Sequence, residues 1–234
     1  MGTREFESTL LPARLIAGYE SFLGGRFRRE QDRYRQLAQI GQSPKILLIG
    51  CCDSRVSPEV IFDALPGEIF VVRNIANLVP PYEPDNEHHG TSAALEYALA
   101  VLKVEHIVIM GHARCGGVRA YVDQMMDPAR TIPPGDFIGH WITLLAPAAE
   151  KLGPCSEPVE DYAERLGQAA IVETLANLRG FPFVRAAEKE GRLALHGAYF
   201  GVADGRLYAL DKASGTFQAI AADVHAAALK APRF

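Results

Sequence analysis

Two apolar runs of strand length constrain this chain most, because each stops at residues that bind metals. Lys45-Ile46-Leu47-Leu48-Ile49-Gly50 leads into Cys51-Cys52-Asp53-Ser54-Arg55, and Glu105-His106-Ile107-Val108-Ile109-Met110-Gly111 leads into His112-Ala113-Arg114-Cys115. A short continuous apolar run bounded by turn signals reads as a buried strand. In open parallel sheets ligands bind just beyond the carboxyl ends of strands, so two such ends side by side bring Cys51 close to His112 and Cys115. Gly50 and Gly111 suit crowded turns, where a side chain would obstruct an approaching backbone.

Two thiolates and an imidazole are the ligand types zinc prefers in a tetrahedron, and three protein ligands with a fourth position for water describe a catalytic site. Asp53 and Arg55 add a carboxylate tied to its own cation. Each reading has a plainer competitor. Cys51 and Cys115 as buried apolar thiols would need no metal, since free cysteine is among the most buried residue types. Asp53 with Arg55 as a structural salt bridge would need no substrate.

The rest of the chain alternates strand and helix around these two runs. A short helix follows Ser57-Pro58, Ile69 to Arg73 reads as a strand, and Thr91 caps a helix that runs to Leu102. Beyond a loop at Asp127 to Pro134, helices are expected over Phe137–Leu152 and Val159–Leu178. A strand at Leu193–Phe200 then pairs with Gly205–Leu210 as a hairpin around Ala203-Asp204-Gly205. Ahead of everything, residues from about Leu11 to Leu37 carry helical patterning with Gly24-Gly25 as a break.

The fold expected is therefore α/β: a mostly parallel central sheet of about four strands plus an antiparallel edge strand, helices on both faces, and an N-terminal helical arm. The whole of 1–234 reads as a single domain, with 1–40 as an arm that packs on a partner subunit.

Composition narrows the function classes. With 48% hydrophobic residues, 22% charged and a net charge of -4, the chain has no electrostatic footprint for nucleic acid. No stretch approaches the roughly 20 apolar residues of a membrane span, and the N-terminus lacks the apolar core and cleavage site of a signal peptide, so cytoplasmic residence is the expectation. Cys51, Cys52, Cys115 and Cys155 are too few for a disulfide framework, and their spacing suits metal binding in a reducing compartment.

Four segments, taken in order, resemble the β-class carbonic anhydrases: Cys51-x-Asp53-x-Arg55, Phe70-Val71-Val72-Arg73-Asn74-Ile75-Ala76-Asn77, Gly90-Thr91-Ser92-Ala93-Ala94-Leu95-Glu96-Tyr97, and Gly111-His112-Ala113-Arg114-Cys115-Gly116-Gly117. The resemblance covers nearly the whole chain, from the N-terminal helices through His196-Gly197. It implies that Cys51, His112 and Cys115 bind one zinc ion per subunit. The activity it implies is reversible hydration of carbon dioxide to bicarbonate and a proton, by attack of a hydroxide formed at the metal. Asp53, gripped by Arg55, would orient that nucleophile.

Members of the family differ in whether the aspartate stays with its arginine or moves onto the metal. Gln42, Phe70 and Tyr97 match the open, plant-like members, and Leu48 stands where the bicarbonate-regulated members usually carry tryptophan. The resemblance makes Gln42 a donor to a substrate oxygen and Phe70 and Tyr97 a dry wall for a small apolar gas; Gly116 is carried over as a fourth substrate-contacting position. Part of the wall would come from a neighbouring subunit, so a homodimer is the smallest active unit expected, with dimers of dimers also expected.

Some positions depart from the pattern or lie outside it. Cys52 stands where serine or alanine is commoner, and it would point away from the metal along an extended segment. Ala198 replaces a large aromatic. His88 and His89 are either proton carriers to buffer or exposed loop histidines. Two other functions use the same ligands: a zinc hydrolase of carbonyl sulfide or carbon disulfide, and a non-enzymatic zinc or thiol-switch protein. A water-orienting pair at Asp53 and Arg55 argues against the last, since a structural site has no use for one.

Overall fold

A computed structural model of the chain describes residues 11–85, 87–127 and 137–220. The chain divides into two compact units, residues 1–42 and 43–234.

In the first unit, helix α1 (Ala13–Gly24) is followed by α2 (Arg26–Ile40). The break falls at Gly25, as the Gly24-Gly25 pair predicts. Rings join the two helices, with Phe22 and Phe27 at 5.7 Å and Phe27 and Tyr34 at 5.3 Å between centroids. Neither helix buries a residue, and Leu15, Tyr19 and Ile40 stay exposed.

The second unit is built on strands β1 (Ile46–Cys51), β2 (Ile69–Asn74), β3 (His106–His112), β4 (Ala194–Phe200), β5 (Leu207–Asp211) and β6 (Thr216–Ala219). They form one sheet in the order β2-β1-β3-β4-β5-β6. The first four are parallel, and β5 and β6 add on antiparallel. The expected hairpin between β4 and β5 is present; β6 is an additional edge strand.

Side-chain alternation divides the sheet into two faces. Leu47, Ile49, Ile107, Ile109 and Leu195 pack in the main core under α4 (Gly90–Tyr97), α8 (Val159–Gly180) and α9 (Pro182–Lys189). On the other face Leu48, Met110 and Ala198 form a small cluster reached by Ile61 of the one-turn helix α3 (Pro58–Ile61). The methyl of Ala198 suits so thin a layer.

The remaining helices are α5 (Gly116–Met126), α6 (Phe137–Ile142) and α7 (Ala146–Leu152). They close a separate core at the carboxyl ends of the strands, with Cys51, Val56, Cys115, Val118, Ile142 and Tyr162 inside it. One continuous helix over 137–152 is expected from the sequence; it is interrupted by a tight turn at Thr143–Leu145. Pro147 explains the interruption, because it lacks an N–H and its ring clashes with the carbonyl four residues back. The loop expected at Asp127 to Pro134 lies, after Asp127, outside the described residues.

Candidate metal centre

Register places the site. Parallel pairing puts Gly50 of β1 opposite Met110 of β3, so both strands end at one level and deliver Cys51 and His112 together. The chain turns at Ala113 and Arg114 and presents Cys115 as the residue before α5. The ligand atoms of Cys51, His112 and Cys115 lie within 4.8 Å of one another, and all three residues are buried.

The donor set fits a zinc ion. Cys51 Sγ and Cys115 Sγ are 3.9 Å apart, against about 3.8 Å for two sulfurs at tetrahedral angles on bonds of about 2.3 Å. His112 Nδ1 donates to the carbonyl of Ala113 at 2.9 Å, which fixes the tautomer and leaves Nε2 with its lone pair free. Nε2 is the sole buried side-chain polar atom without a partner among the described residues. A buried imidazole nitrogen aimed at two thiols and bonded to nothing is costly unless a cation completes it.

Electrostatics agree. The Cys51 thiol is held far below the usual thiol range, first by the hydrogen bond with Cys115 and, against burial, by His112 and the backbone of Asp53 and Ala76. Cys115 is pushed up by its bond to Cys51 and by burial. Burial disfavours the His112 cation, yet the Cys51 thiolate outweighs it and raises the imidazole. The pocket thus concentrates negative charge and keeps one proton that a divalent ion would displace.

Asp53 sits beside this centre without joining it. Arg55 Nε donates to Asp53 Oδ1 at 2.9 Å and Nη2 to Oδ2 at 2.7 Å, and the Arg55 backbone N–H adds a third bond at 3.0 Å. The Arg55 side chain is the main reason the carboxyl stays well below the usual carboxylate range; burial opposes it and the Arg55 backbone assists. Asp53 Oδ2 remains 3.9 Å from His112 Nε2, adjacent to the centre but held by the arginine.

Three supporting groups carry no signal that sequence reasoning singled out. Arg73 donates to the carbonyls of Cys51 at 2.8 Å and Asp53 at 2.7 Å, clamping the first ligand loop. Asn74 bonds the backbone of Leu78 through both ends of its amide and so closes the turn Ile75–Asn77. Glu164, from the middle of α8, accepts the Arg114 N–H at 2.9 Å. Only Arg73 and Asn74 lie in a segment the sequence marks out, and neither residue type announces a backbone clamp.

The other expected site residues lie elsewhere. Phe70 and Tyr97 pair at 6.0 Å between ring centroids. Phe70 packs against the main core and faces Leu47 in register, four residues before Cys51 and hence about 13 Å down the strand. The ring pair and the metal ligands of one chain are therefore not neighbours. Gly116 opens α5 beside Cys115 and has open space where a Cβ would stand. Gln42 is exposed and ends the first unit. Cys52 is exposed while Cys51 is buried, as the extended segment predicts. Cys52 lines a cavity of about 900 Å³ together with Ile75, His88, His89, His140 and Trp141. No described helix is long and apolar enough to cross a membrane.

Comparison with known proteins agrees with this geometry. The carbonic anhydrase family model matches residues 46–207. "Beta carbonic anhydrase 3" of Arabidopsis thaliana is 37% identical over 207 residues, covering 86% of this chain and 78% of that protein. A chloroplastic relative, "Beta carbonic anhydrase 5" of the same plant, is 37% identical over 74% of this chain and 56% of its own length. Among solved structures, the β-carbonic anhydrase CcaA superposes with a TM-score of 0.75 at 31% identity, covering 88% of this chain and 98% of that one. A structure from work on two tetrameric enzymes of the ascomycete Sordaria macrospora gives 0.71 at 31% identity, covering 88% and 97%. With its three-ligand zinc centre and parallel sheet in place, the chain belongs to the β-carbonic anhydrase family.

Proposed function

We propose that this protein catalyses the reversible hydration of carbon dioxide with Asp53 in the open arrangement. The observation that carries the reading is the unpartnered Nε2 of His112, set between two thiols beside a carboxylate that Arg55 holds. Zinc at Cys51, His112 and Cys115 supplies the Lewis acidity that makes water a nucleophile near neutral pH. Asp53 accepts a hydrogen bond from the attacking water and orients it. Arg55 keeps that carboxylate ionised and off the metal.

Phe70 and Tyr97 form an apolar wall that favours carbon dioxide over water, and Gln42 donates to a substrate oxygen. The distance of the two rings from the ligands of their own chain supports a wall built by a second copy, with the N-terminal arm packing on that copy and a homodimer or dimer of dimers as the working assembly. Gly116 borders the substrate next to Cys115. A net charge of -4 suits a cytoplasmic protein, and the match to carbonic anhydrases supports carbon dioxide over carbonyl sulfide or carbon disulfide as the substrate.

Stopped-flow hydration by the wild type and by Cys51→Ser, with zinc content measured in parallel, tests the reading. The wild type is expected to hydrate carbon dioxide and hold one zinc per chain, and the variant to lose both. Zinc-loaded wild type with no hydration activity between about pH 7 and 9 would sink the proposal; turnover of carbonyl sulfide in that event would move the assignment to a hydrolase on the same ligands.

A further inference from the structure

Arg114 lies between two ligands, His112 and Cys115, with a φ of 56°, a left-handed conformation that residues with side chains adopt rarely. Both of its backbone polar groups are tied. Its N–H donates to Glu164 Oε1 at 2.9 Å, and its carbonyl accepts from Arg55 Nη2 at 3.1 Å. The same Nη2 holds Asp53 Oδ2. Asp53, Arg55, Arg114 and Glu164 thus form one continuous run of hydrogen bonds.

The far end of that run is rigid. The second carboxylate oxygen of Glu164 accepts from the Tyr199 hydroxyl. Tyr199 is buried in β4, and its ring fills the space over two glycines: a Cβ at Gly167 would lie 3.5 Å from Cε2, and one at Gly111 would lie 3.4 Å from Cδ2. Burial, and then the bond to Glu164, push the phenol well above its usual range, so it remains a donor. The Arg114 side chain contributes little, since its Nε is 3.8 Å from Glu164 and it is largely exposed. The backbone bond is the contact that matters.

We propose that Glu164, buttressed by Tyr199, is a positioning residue for the Asp53 gate: it holds the Arg114 backbone so that its carbonyl anchors Arg55, and Arg55 in turn keeps Asp53 off the metal. This rests on the open-site reading above. Without Glu164 the Arg55 fork loses one of its fixed points, and Asp53 competes for the fourth position on the metal.

The test uses cobalt-substituted protein and azide, an anion that needs that position, followed in the visible spectrum. Glu164→Ala is expected to weaken azide binding roughly 10- to 150-fold, the ratio corresponding to one lost hydrogen bond to a charged group. In an Asp53→Asn background, where no second anion competes, the same substitution is expected to change azide affinity less than about 2-fold. Equal weakening in both backgrounds would overturn the proposal, because Glu164 would then act on the ligand loop itself; so would unchanged affinity in the Asp53 background. If Glu164→Ala binds less than one cobalt per chain, Tyr199→Phe, which keeps the ring and removes only the hydroxyl, decides by the same criterion. Absence of any azide response in the unmodified cobalt protein would remove the open-site reading and this proposal with it, whereas an intact response that no variant alters differentially would remove this proposal alone.

Discussion

A methyl group at Gly117 should cost more than one at Gly116, although the two glycines are adjacent. At Gly117 a Cβ would stand 2.6 Å from Ile75 Cγ2 and 3.2 Å from Ala76 Cβ, where carbon atoms prefer roughly 3.5–4.0 Å. Neither neighbour yields cheaply. Ile75 is β-branched and stiff at its first torsion, and its carbonyl is held by Trp141 Nε1 at 2.8 Å. Ala76 sits at a φ of 60° in the turn that Asn74 closes at both ends. Overpacking against such a wall costs about 1–3 kcal/mol. It also shifts the Ala76 backbone that stabilises the Cys51 thiolate, so zinc affinity falls with stability. At Gly116 nothing lies within 4 Å and no positive φ is required, and at the start of α5 alanine is neutral to about 1 kcal/mol stabilising. Denaturant unfolding of both variants at one fixed zinc concentration, compared through midpoints at equal slope, reads the difference. The reasoning fails if Gly117→Ala unfolds within about 0.5 kcal/mol of the wild type, or if Gly116→Ala is the less stable of the two.

Mixing chains tests where the aromatic wall belongs. Co-produced Cys51→Ser and Tyr97→Ala chains should regain roughly a quarter of wild-type sites, since half of randomly formed dimers pair an intact metal centre with an intact wall from the other chain; hydration no greater than that of the two parents alone would place Tyr97 in its own chain's site or in none. Away from the centre, His196 is held below the usual imidazole range by burial, then by His106 and Lys212, and its Nε2 meets His106 Nδ1 at 3.2 Å. With the folded value below the unfolded one, the unfolded chain takes up the extra proton, so stability is whole above about pH 6.5 and declines as the pH falls below it. Thermal unfolding of His196→Gln should be flatter than wild type between about pH 7 and 5, and parallel slopes would remove His196 from the cause.

The metal centre was legible because its ligand types stand at the ends of apolar runs, and a run of that kind already announces a buried strand and the level at which it stops. Cys51, His112 and Cys115 therefore needed only the parallel order of β1 and β3 to meet. Asp53 and Arg55 were legible for a local reason: a single residue, Ser54, separates them, and the turn alone brings carboxylate and guanidinium together. β6 was not, because Thr216-Phe217-Gln218-Ala219 is too short for alternation to stand out. Glu164 and Tyr199 were hidden for a different reason. They reach Arg114 from a helix and a strand 50 and 85 residues further along the chain, and nothing local distinguishes a glutamate that braces a backbone N–H from one on a solvated helix face.

Those hidden groups help explain how the three ligands are held together. Bringing two thiols and an imidazole within 4.8 Å of one another invites repulsion once a proton leaves, and a left-handed Arg114 adds strain of about 1 kcal/mol or more. The compensation comes from backbone clamps on both loops. Arg73 holds the carbonyls of Cys51 and Asp53, Glu164 holds the N–H of Arg114, and Arg55 crosses from one loop to the other by binding Asp53 and the Arg114 carbonyl together. Apart from the Arg55–Asp53 ion pair, each clamp sets a charged side chain against a neutral peptide group, the strong kind of hydrogen bond. Because Arg55 belongs to both the gate and the cross-loop tie, ligand geometry and gate position cannot vary independently. A substitution that frees Asp53 should therefore also loosen the approach of Cys115 to Cys51, which joins metal affinity and gating in one property of the fold.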